Sequence, residues 1–364
     1  MTFFCGFLGL AITRTSLVLV LFFFPCFCAS SANAEFSLNI GQAPMLEQTS
    51  SARANATKEA LQQVLVKLSG TQSVLSDSAM KSLLNNAQNY VEASRFIAQP
   101  YVGLEVEFDQ TRLEQWLKDQ QLPLWGEQRP HALLWLIYQD PLNDEREIIH
   151  AASEHVLKIE LEQATQRRAI PISLPIYDLQ DVAAVAPIDI WGQFVDTLYD
   201  ASERYQVNST LAARIYPNAE FLWQLDGFVK EGDLLRLVSF TAVDTQTLIN
   251  KFVDFYTEFT AERFAIDTKQ FANDQRINYS INISGVSNIE ILAEVQRFLE
   301  NLSIVDDFRH VSQHGNTAIF ELNLLATQER LQATFKQGGR LIPKLSTNGS
   351  QVLEPDNSNY QWQP

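Results

Sequence analysis

The sequence predicts a multidomain chain of the α/β and α+β classes: a central mixed α/β sheet domain followed by a small ferredoxin-like β-α-β-β-α-β unit. Three observations carry this. Between Ala132 and Ala265, strand-length apolar runs alternate with stretches whose apolar residues recur at helical spacing. Between Ile277 and Pro343 the segments follow the order β-α-β-β-α-β, the split βαβ pattern. The chain has 364 residues, 46% of them hydrophobic, which is material for roughly two or three packed cores.

Residues 1–34 read as a secretory signal. Arg14 precedes the apolar run Leu17 to Phe27, and Ala32-Asn33-Ala34 offers a small-residue cleavage site before Glu35. The run is short of the roughly 20 residues a spanning helix needs, so no transmembrane segment is expected after cleavage. The only cysteines, Cys5, Cys26 and Cys28, lie in this leader. The mature chain would therefore have no disulfide, thiol nucleophile or cysteine-ligated metal. A secreted chain of this size without disulfides suits a bacterial periplasm. Formal net charge is −16, with no basic run, which disfavours nucleic acid and anionic lipid as partners.

Residues 35–126 are expected to form an N-terminal α+β domain. Leu61, Val64, Leu65 and Leu68 make one helix stripe, stopped by Ser69-Gly70. Lys81 to Tyr90 reads as a second helix. Leu104, Val106 and Phe108 alternate with glutamates as a half-buried strand. Thr111-x-x-Glu114 resembles a capping box, with Leu113, Trp116 and Leu117 behind it. The joint is Glu127-Gln128-Arg129-Pro130.

Residues 127–268 form the expected central domain. Ala132 to Tyr138 is a buried strand containing Trp135, and Glu145 to Arg168 is read as one long helix with Ile149, Ala152, Val156 and Ile159 on one side. A proline-interrupted strand, Ile170 to Ile176, leads to an acidic turn. Asp189 then opens a helix striped by Trp191, Phe194, Val195 and Leu198, ending near Tyr205. Strands at Val207 to Tyr216, Phe221 to Phe228 and Leu234 to Val243 precede a helix from Asp244 to Ala265. In residues 277–343, a helix opened by Ser287 and a hairpin turn at His314-Gly315-Asn316 fill out the ferredoxin-like unit. The polar tail, residues 346–364, is expected to be disordered.

Several stretches together resemble an uncharacterised bacterial family, domain-of-unknown-function family 2066. They are Leu65-Val66-Lys67-Leu68-Ser69-Gly70; Leu122-Pro123-Leu124-Trp125-Gly126 with Arg129-Pro130 and Leu134-Trp135; Ile170-Pro171-Ile172 with Leu174-Pro175, Asp178-Leu179, Asp181 and Asp189-x-Trp191-Gly192; and Ala201-Ser202-x-Arg204-Tyr205. The resemblance implies a secreted or periplasmic protein of Gram-negative bacteria. It brings no catalytic residue.

The candidate ligand-binding residues are Asp178 and Asp181. If the central strands are parallel, the turn after Pro175 lies at their carboxyl ends, where open α/β sheets bind ligands. Two carboxylates three residues apart also serve as a turn or helix-capping device, the commoner use. On the ligand reading, exchanging both for asparagine should leave stability nearly unchanged. Arg129, at the joint, could clamp a carboxylate but stands on the wrong side of the first strand for the crevice, which favours an interdomain brace. His150 and His155 are five apart on the predicted helix, whereas a zinc pair on one face wants four. No nucleophile elbow, Walker loop or dinucleotide fingerprint is present, so no cofactor is expected. The expectation is a non-enzymatic accessory or assembly factor of the cell envelope, working through contacts with envelope proteins. A periplasmic small-ligand binder is the alternative, with a carboxylate-pair hydrolase behind it.

Overall fold

A long helix clasped by three strands begins the fold. In the computed structural model, which describes residues 36–98, 102–271, 277–325, 327–345 and 355–363, β1 (Ile40–Pro44) leads into α1 (Ser50–Ser69). Thr49 accepts from the Ala52 amide at the start of α1. Gly70, at φ 75°, closes it in the left-handed conformation that glycine adopts without strain. Leu61, Val64, Leu65 and Leu68 are fully buried, as their spacing predicts. Helix α2 (Met80–Asn85) is shorter than expected, because a 3₁₀ turn takes over from Ala87. Then come β2 (Val91–Ile97), β3 (Gly103–Phe108) and α3 (Gln110–Asp119). The antiparallel order is β1-β3-β2. Asp109, not Thr111, caps α3 by accepting from the Arg112 amide at 3.0 Å.

The central sheet follows: β4 (Ala132–Gln139), β5 (Arg146–Ile149), α4 (Val156–Arg168), β6 (Ile172–Ser173), α5 (Leu179–Ala184), α6 (Pro187–Trp191), α7 (Val195–Ser202), β7 (Ser209–Pro217), β8 (Trp223–Glu231), β9 (Leu234–Ala242) and α8 (Thr245–Phe264). Its order is β5-β4-β7-β8-β9, with β6 beside β4. β4 is parallel to β6 and β7, and the remaining pairs are antiparallel, so the sheet is mixed.

Two helices predicted here are corrected. The helix from Glu145 to Arg168 begins only at Val156, because residues Arg146–Ile149 pair with the free edge of β4. The helical spacing of Ile149, Val156 and Ile159 is coincidental: Val156 and Ile159 are exposed, and Leu157, Leu161 and Ala164 face the core. The histidine pair therefore does not share a helix. His155 caps α4, and His150 stacks on Tyr177 at 5.7 Å. The helix from Asp189 to Tyr205 breaks at Gly192–Phe194 into α6 and α7, with Gln193 at φ 55°.

The two faces of this sheet are covered differently. Leu134, Leu136, Leu211, Ala213 and Leu225 pack beneath Leu157 and Leu161 of α4 and Leu248, Phe252 and Tyr256 of α8. On the other face, Leu133, Trp135, Ile137, Ala212 and Phe228 lie under Val185, Ile190 and Leu198 of the α5–α7 layer. Trp135 is fully buried and donates its indole N–H to Ser202 Oγ at 3.0 Å.

The last sheet contains β10 (Ile277–Ser284), α9 (Ile289–Glu300), β11 (Val305–His314), β12 (Thr317–Leu324), α10 (Gln328–Gly338), β13 (Leu341–Leu345) and β14 (Pro355–Trp362), in the order β11-β12-β10-β14-β13. The β-α-β-β-α-β order is present, but β14 is wedged between β10 and β13, parallel to the first and antiparallel to the second. This corrects the expectation of a disordered tail. Tyr360 and Trp362 alternate inward and are buried in the core, an apolar signal too brief to stand out among its polar neighbours. Residues 346–354 and Pro364 lie outside the described residues, as does the expected leader, residues 1–34.

From Phe36 onward the three sheets belong to one compact unit. The strap Leu122–Gly126 meets residues from the regions around each sheet. Trp125 N–H donates to the Leu68 carbonyl at 2.6 Å, Leu124 exchanges backbone bonds with Ile266, and Gly126 lies against Ser303. Among the described residues no helix is long and apolar enough to cross a membrane.

Candidate functional site

The acidic turn begins where β6 ends. Strand β6 pairs only with Ala132 and Leu133, well short of the end of β4 at Gln139. The upper part of that edge is taken by β5, and Ala151 N–H donates to the Pro175 carbonyl at 2.9 Å. The turn after Pro175 thus leaves the sheet near its middle. Asp178 and Asp181 are not at the carboxyl ends of β4 and β7, and the crevice geometry expected for them does not form.

What forms instead is a closed ion-pair knot. Tyr177 sits at φ 58°, a conformation that residues with side chains rarely adopt. Its amide donates to Asp181 Oδ2 at 2.8 Å, which holds it there. Asp178 caps α5, its Oδ1 accepting from the amides of Gln180 and Asp181 at 3.0 and 3.1 Å. Arg204 lays its guanidinium across both carboxylates. Nη1 and Nη2 donate to Asp178 at 2.7 and 2.8 Å, and Nη1 also donates to Asp181 Oδ1 at 2.8 Å. The Tyr205 hydroxyl donates to Asp181 Oδ2 at 2.5 Å and accepts from the Ile176 amide at 2.9 Å.

The electrostatics follow from these contacts. The hydrogen bonds from Arg204, then the Asp181 amide, hold the Asp178 carboxyl well below its usual range. The Arg204 guanidinium is correspondingly raised by its bonds to Asp178. Burial, then the bond to Asp181, pushes Tyr205 up to about 12. A proton-transfer pair needs a group poised near the working pH, and Asp178 is held ionised throughout the neutral range. A cation would have to displace Arg204. Among the described residues no group of three or more His, Cys, Asp or Glu side chains is placed to hold a metal ion. Asp181 is 1% exposed, so it is not the solvated turn residue the sequence suggests.

Arg129 sits between the ends of two helices. Its Nε donates to the Gly126 carbonyl, Nη1 to those of Arg168 and Ala169, and Nη2 to those of Lys67 and Trp125. An arginine has five N–H donors, and these carbonyls engage all of them. No donor is left for a ligand carboxylate. Lys67 is in the last turn of α1, while Arg168 and Ala169 end α4, so one cation completes two negative helix termini. The guanidinium also stacks on Trp125 at 4.3 Å. Burial, and then the nearby Arg168, pull its pKa down to about 9, which leaves it charged at neutral pH. Arg129 thus braces carbonyls of two sheet regions rather than forming a salt bridge.

Three partners escaped sequence reasoning. Arg204 and Tyr205 close the knot. Arg168 is fully buried and links Asp254, at 3.2 Å, to the Gly70 carbonyl, at 2.8 Å. A signal for Arg204 does exist: from Ala169 to Glu203 there is no lysine or arginine, so it is the first base available to the acids of that stretch.

Residues 32–126 match a domain of unknown function, DUF8605. This match corrects the resemblance to domain-of-unknown-function family 2066, for which there is no support. The matched stretch ends before Arg129 and contains neither Asp178 nor Asp181. No curated protein and no solved structure matches the chain.

Proposed function

We propose that this chain is a non-enzymatic accessory protein of the bacterial cell envelope, acting in the periplasm through contacts with other proteins. The observation that carries the reading is the exposed apolar character of residues 176–194. Ile176, Leu179, Val182 and Ile188 leave more than half of their surface in water, and Phe194 leaves 49%, within one short stretch of the central sheet's outer layer. Apolar side chains gathered in this way mark interaction surfaces more often than isolated exposed ones do. The saturated carboxylates speak against the small-ligand alternative, since Arg204 occupies the positions a ligand's cation would take.

The test is a photo-crosslinking amino acid placed at Leu179 in living cells, with Glu262 on α8 as a control position. Adducts with an envelope protein at Leu179 and none at Glu262 are expected, with the chain recovered in the osmotic-shock fraction. A chain confined to the cytoplasm, or equal crosslinking at both positions, would overturn the proposal.

A further inference from the structure

We infer that the α5–α7 layer docks an amphipathic helix of a partner protein whose apolar stripe is flanked by lysines or arginines. The inference rests on the protein-contact reading and names the chemistry of the contact. Leu179 is 89% exposed and lies one turn from Val182 on α5, so the two form one outward stripe. Ile188 and Phe194 form a second. A Cβ built on Gly192 would lie 2.7 Å from the Phe194 ring and 3.0 Å from the Ile188 carbonyl, so the ring folds back over α6. Thus α5 exposes Leu179 and Val182, α6 exposes Ile188 while burying Ile190, and Phe194 lies exposed at the start of α7, whose Leu198 is buried.

Charge selects the occupant. The stretch from Ala169 to Glu203 contains Asp178, Asp181, Asp189, Asp196, Asp200 and Glu203 and no base, and among the described residues the neighbouring strands bring only Arg146 and Arg214 against Trp191 and Lys230 against Tyr199. Arg204 neutralises the first two only in part. Asp196, Asp200 and Glu203 are exposed and pair with no lysine or arginine among the described residues. A basic rim on the partner would meet this field, and one anionic in character would be repelled. An anionic bilayer is disfavoured for that reason. A second copy meeting the same face would place acid on acid. The layer's helices expose no row of free strand N–H and C=O groups, so strand addition has nothing to pair with. A helix seated by apolar anchors is the recognition mode that fits.

The probe is a synthetic amphipathic helix with a leucine stripe and a lysine face, titrated against the full chain by fluorescence anisotropy. A glutamate-faced version is the control. Saturable binding of the lysine peptide is expected, weakening with added salt, and none by the glutamate peptide. Leu179→Ser with Phe194→Ser should weaken binding at least about tenfold, which is the loss of roughly 1.4 kcal/mol. Ile289→Ser, at an exposed apolar position on α9, should leave it unchanged. Thermal midpoints report folding. If the double variant unfolds, Leu179→Arg and the pair Asp196→Lys with Asp200→Lys replace it; the first should weaken binding by removing an apolar anchor and adding like charge, the second by charge alone. Binding indifferent to these substitutions, equal binding of both peptides, stronger binding to phosphatidylcholine vesicles, or self-association lost in the Leu179 variants would each overturn the inference. Its failure is separable from that of the protein-contact reading: adducts at Leu179 whose partner offers no basic helix overturn the inference alone, whereas no adduct at Leu179 overturns both.

Discussion

The two faces of the central sheet share strands but not a design. One is covered by α4 and α8, helices of 13 and 20 residues, and its core runs continuously from Leu134 to Tyr256. The other carries three short helices that bury Val185, Ile190 and Leu198 but leave Leu179, Ile188 and Phe194 in water. Beyond those helices, Leu237 of β9 is exposed too. Long helices bury one stripe and satisfy their backbone internally, so they contribute stability at little cost in exposed apolar surface. Short helices cannot do both. Both faces thus carry a buried core, but only the α5–α7 side leaves part of its apolar surface in water.

Removing an aromatic ring from each side tests this most severely. Phe252→Ala, in the α8 face, should cost about 3–5 kcal/mol, the usual loss for a fully buried aromatic. Phe194→Ala, half-exposed in the layer, should cost about 1 kcal/mol or less. Urea unfolding followed by tryptophan fluorescence gives both numbers. Equal losses would mean that both faces carry the fold.

The next effect concerns the seam behind the α8 face. Arg129→Leu removes the donors to five carbonyls, two helix ends among them, and should cost about 3 kcal/mol, since each orphaned buried acceptor costs about 1–3. Arg129→Lys should recover only part, because an ammonium cannot span both helix ends. A loss of under about 1 kcal/mol in urea would mean that water replaces the guanidinium and that the brace is dispensable.

Lys67, in the same seam, gives the comparison a pH axis. Its ammonium donates to the carbonyls of Ser37 and Ile40, and burial, with a smaller contribution from Arg129, lowers its pKa from 10.5 to about 8. Between pH 8 and 10.5 the unfolded chain keeps this proton and the folded chain releases it. Stability therefore rises with pH across that window, by up to about 1.4 kcal/mol per unit. Below pH 8 both states hold the proton and the penalty is constant. Lys67→Met should flatten the slope, read as unfolding midpoints from pH 7.5 to about 8.5, below the range near 9 where Arg129 begins to release its own proton in the folded chain. The orphaned carbonyls shift the variant by a constant and leave the slope readable. A variant with the parent's slope would place the titration elsewhere.

How far the sequence reveals these features depends on whether the signal is local. The stripe of α1, the strand of β4 and the amphipathic α8 are written in single stretches of periodic residues, and the structure places them accordingly. β5 is different: Ile148 and Ile149 become a strand only because β4 has an open edge beside them, a tertiary fact invisible at their own positions. β14 likewise depends on a gap between β10 and β13. The carboxylates are legible as a pair, but their partner Arg204 is 26 residues from Asp178 in sequence, marked only by the absence of any earlier base in that stretch. Arg129 is legible from its place at the joint. Its carbonyl partners were not, because backbone acceptors have no residue-type signature.

The smallest expected effect divides the knot itself, the polar anchor of the α5–α7 layer. Asp178 and Asp181 look equivalent in sequence, which predicts a mild effect of exchanging both for asparagine. The structure separates them. Asp181 is buried and receives donors on both oxygens: Arg204 on Oδ1, and the Tyr177 amide and Tyr205 hydroxyl on Oδ2. Asparagine offers one acceptor and one NH₂, so in either orientation a donor faces a donor. Asp181→Asn should cost about 2 kcal/mol, within the range for leaving a buried polar group unmatched. Asp178 is a solvent-reached cap, and asparagine caps a helix as well as aspartate does. Asp178→Asn should barely move the midpoint. Because the two share Arg204, the double variant should not equal the sum of the singles. Urea midpoints for all three variants settle the matter. Should Asp181→Asn prove as mild as Asp178→Asn, the knot does not hold α5 to the sheet, and the layer's order must come from Val185, Ile190 and Leu198 alone.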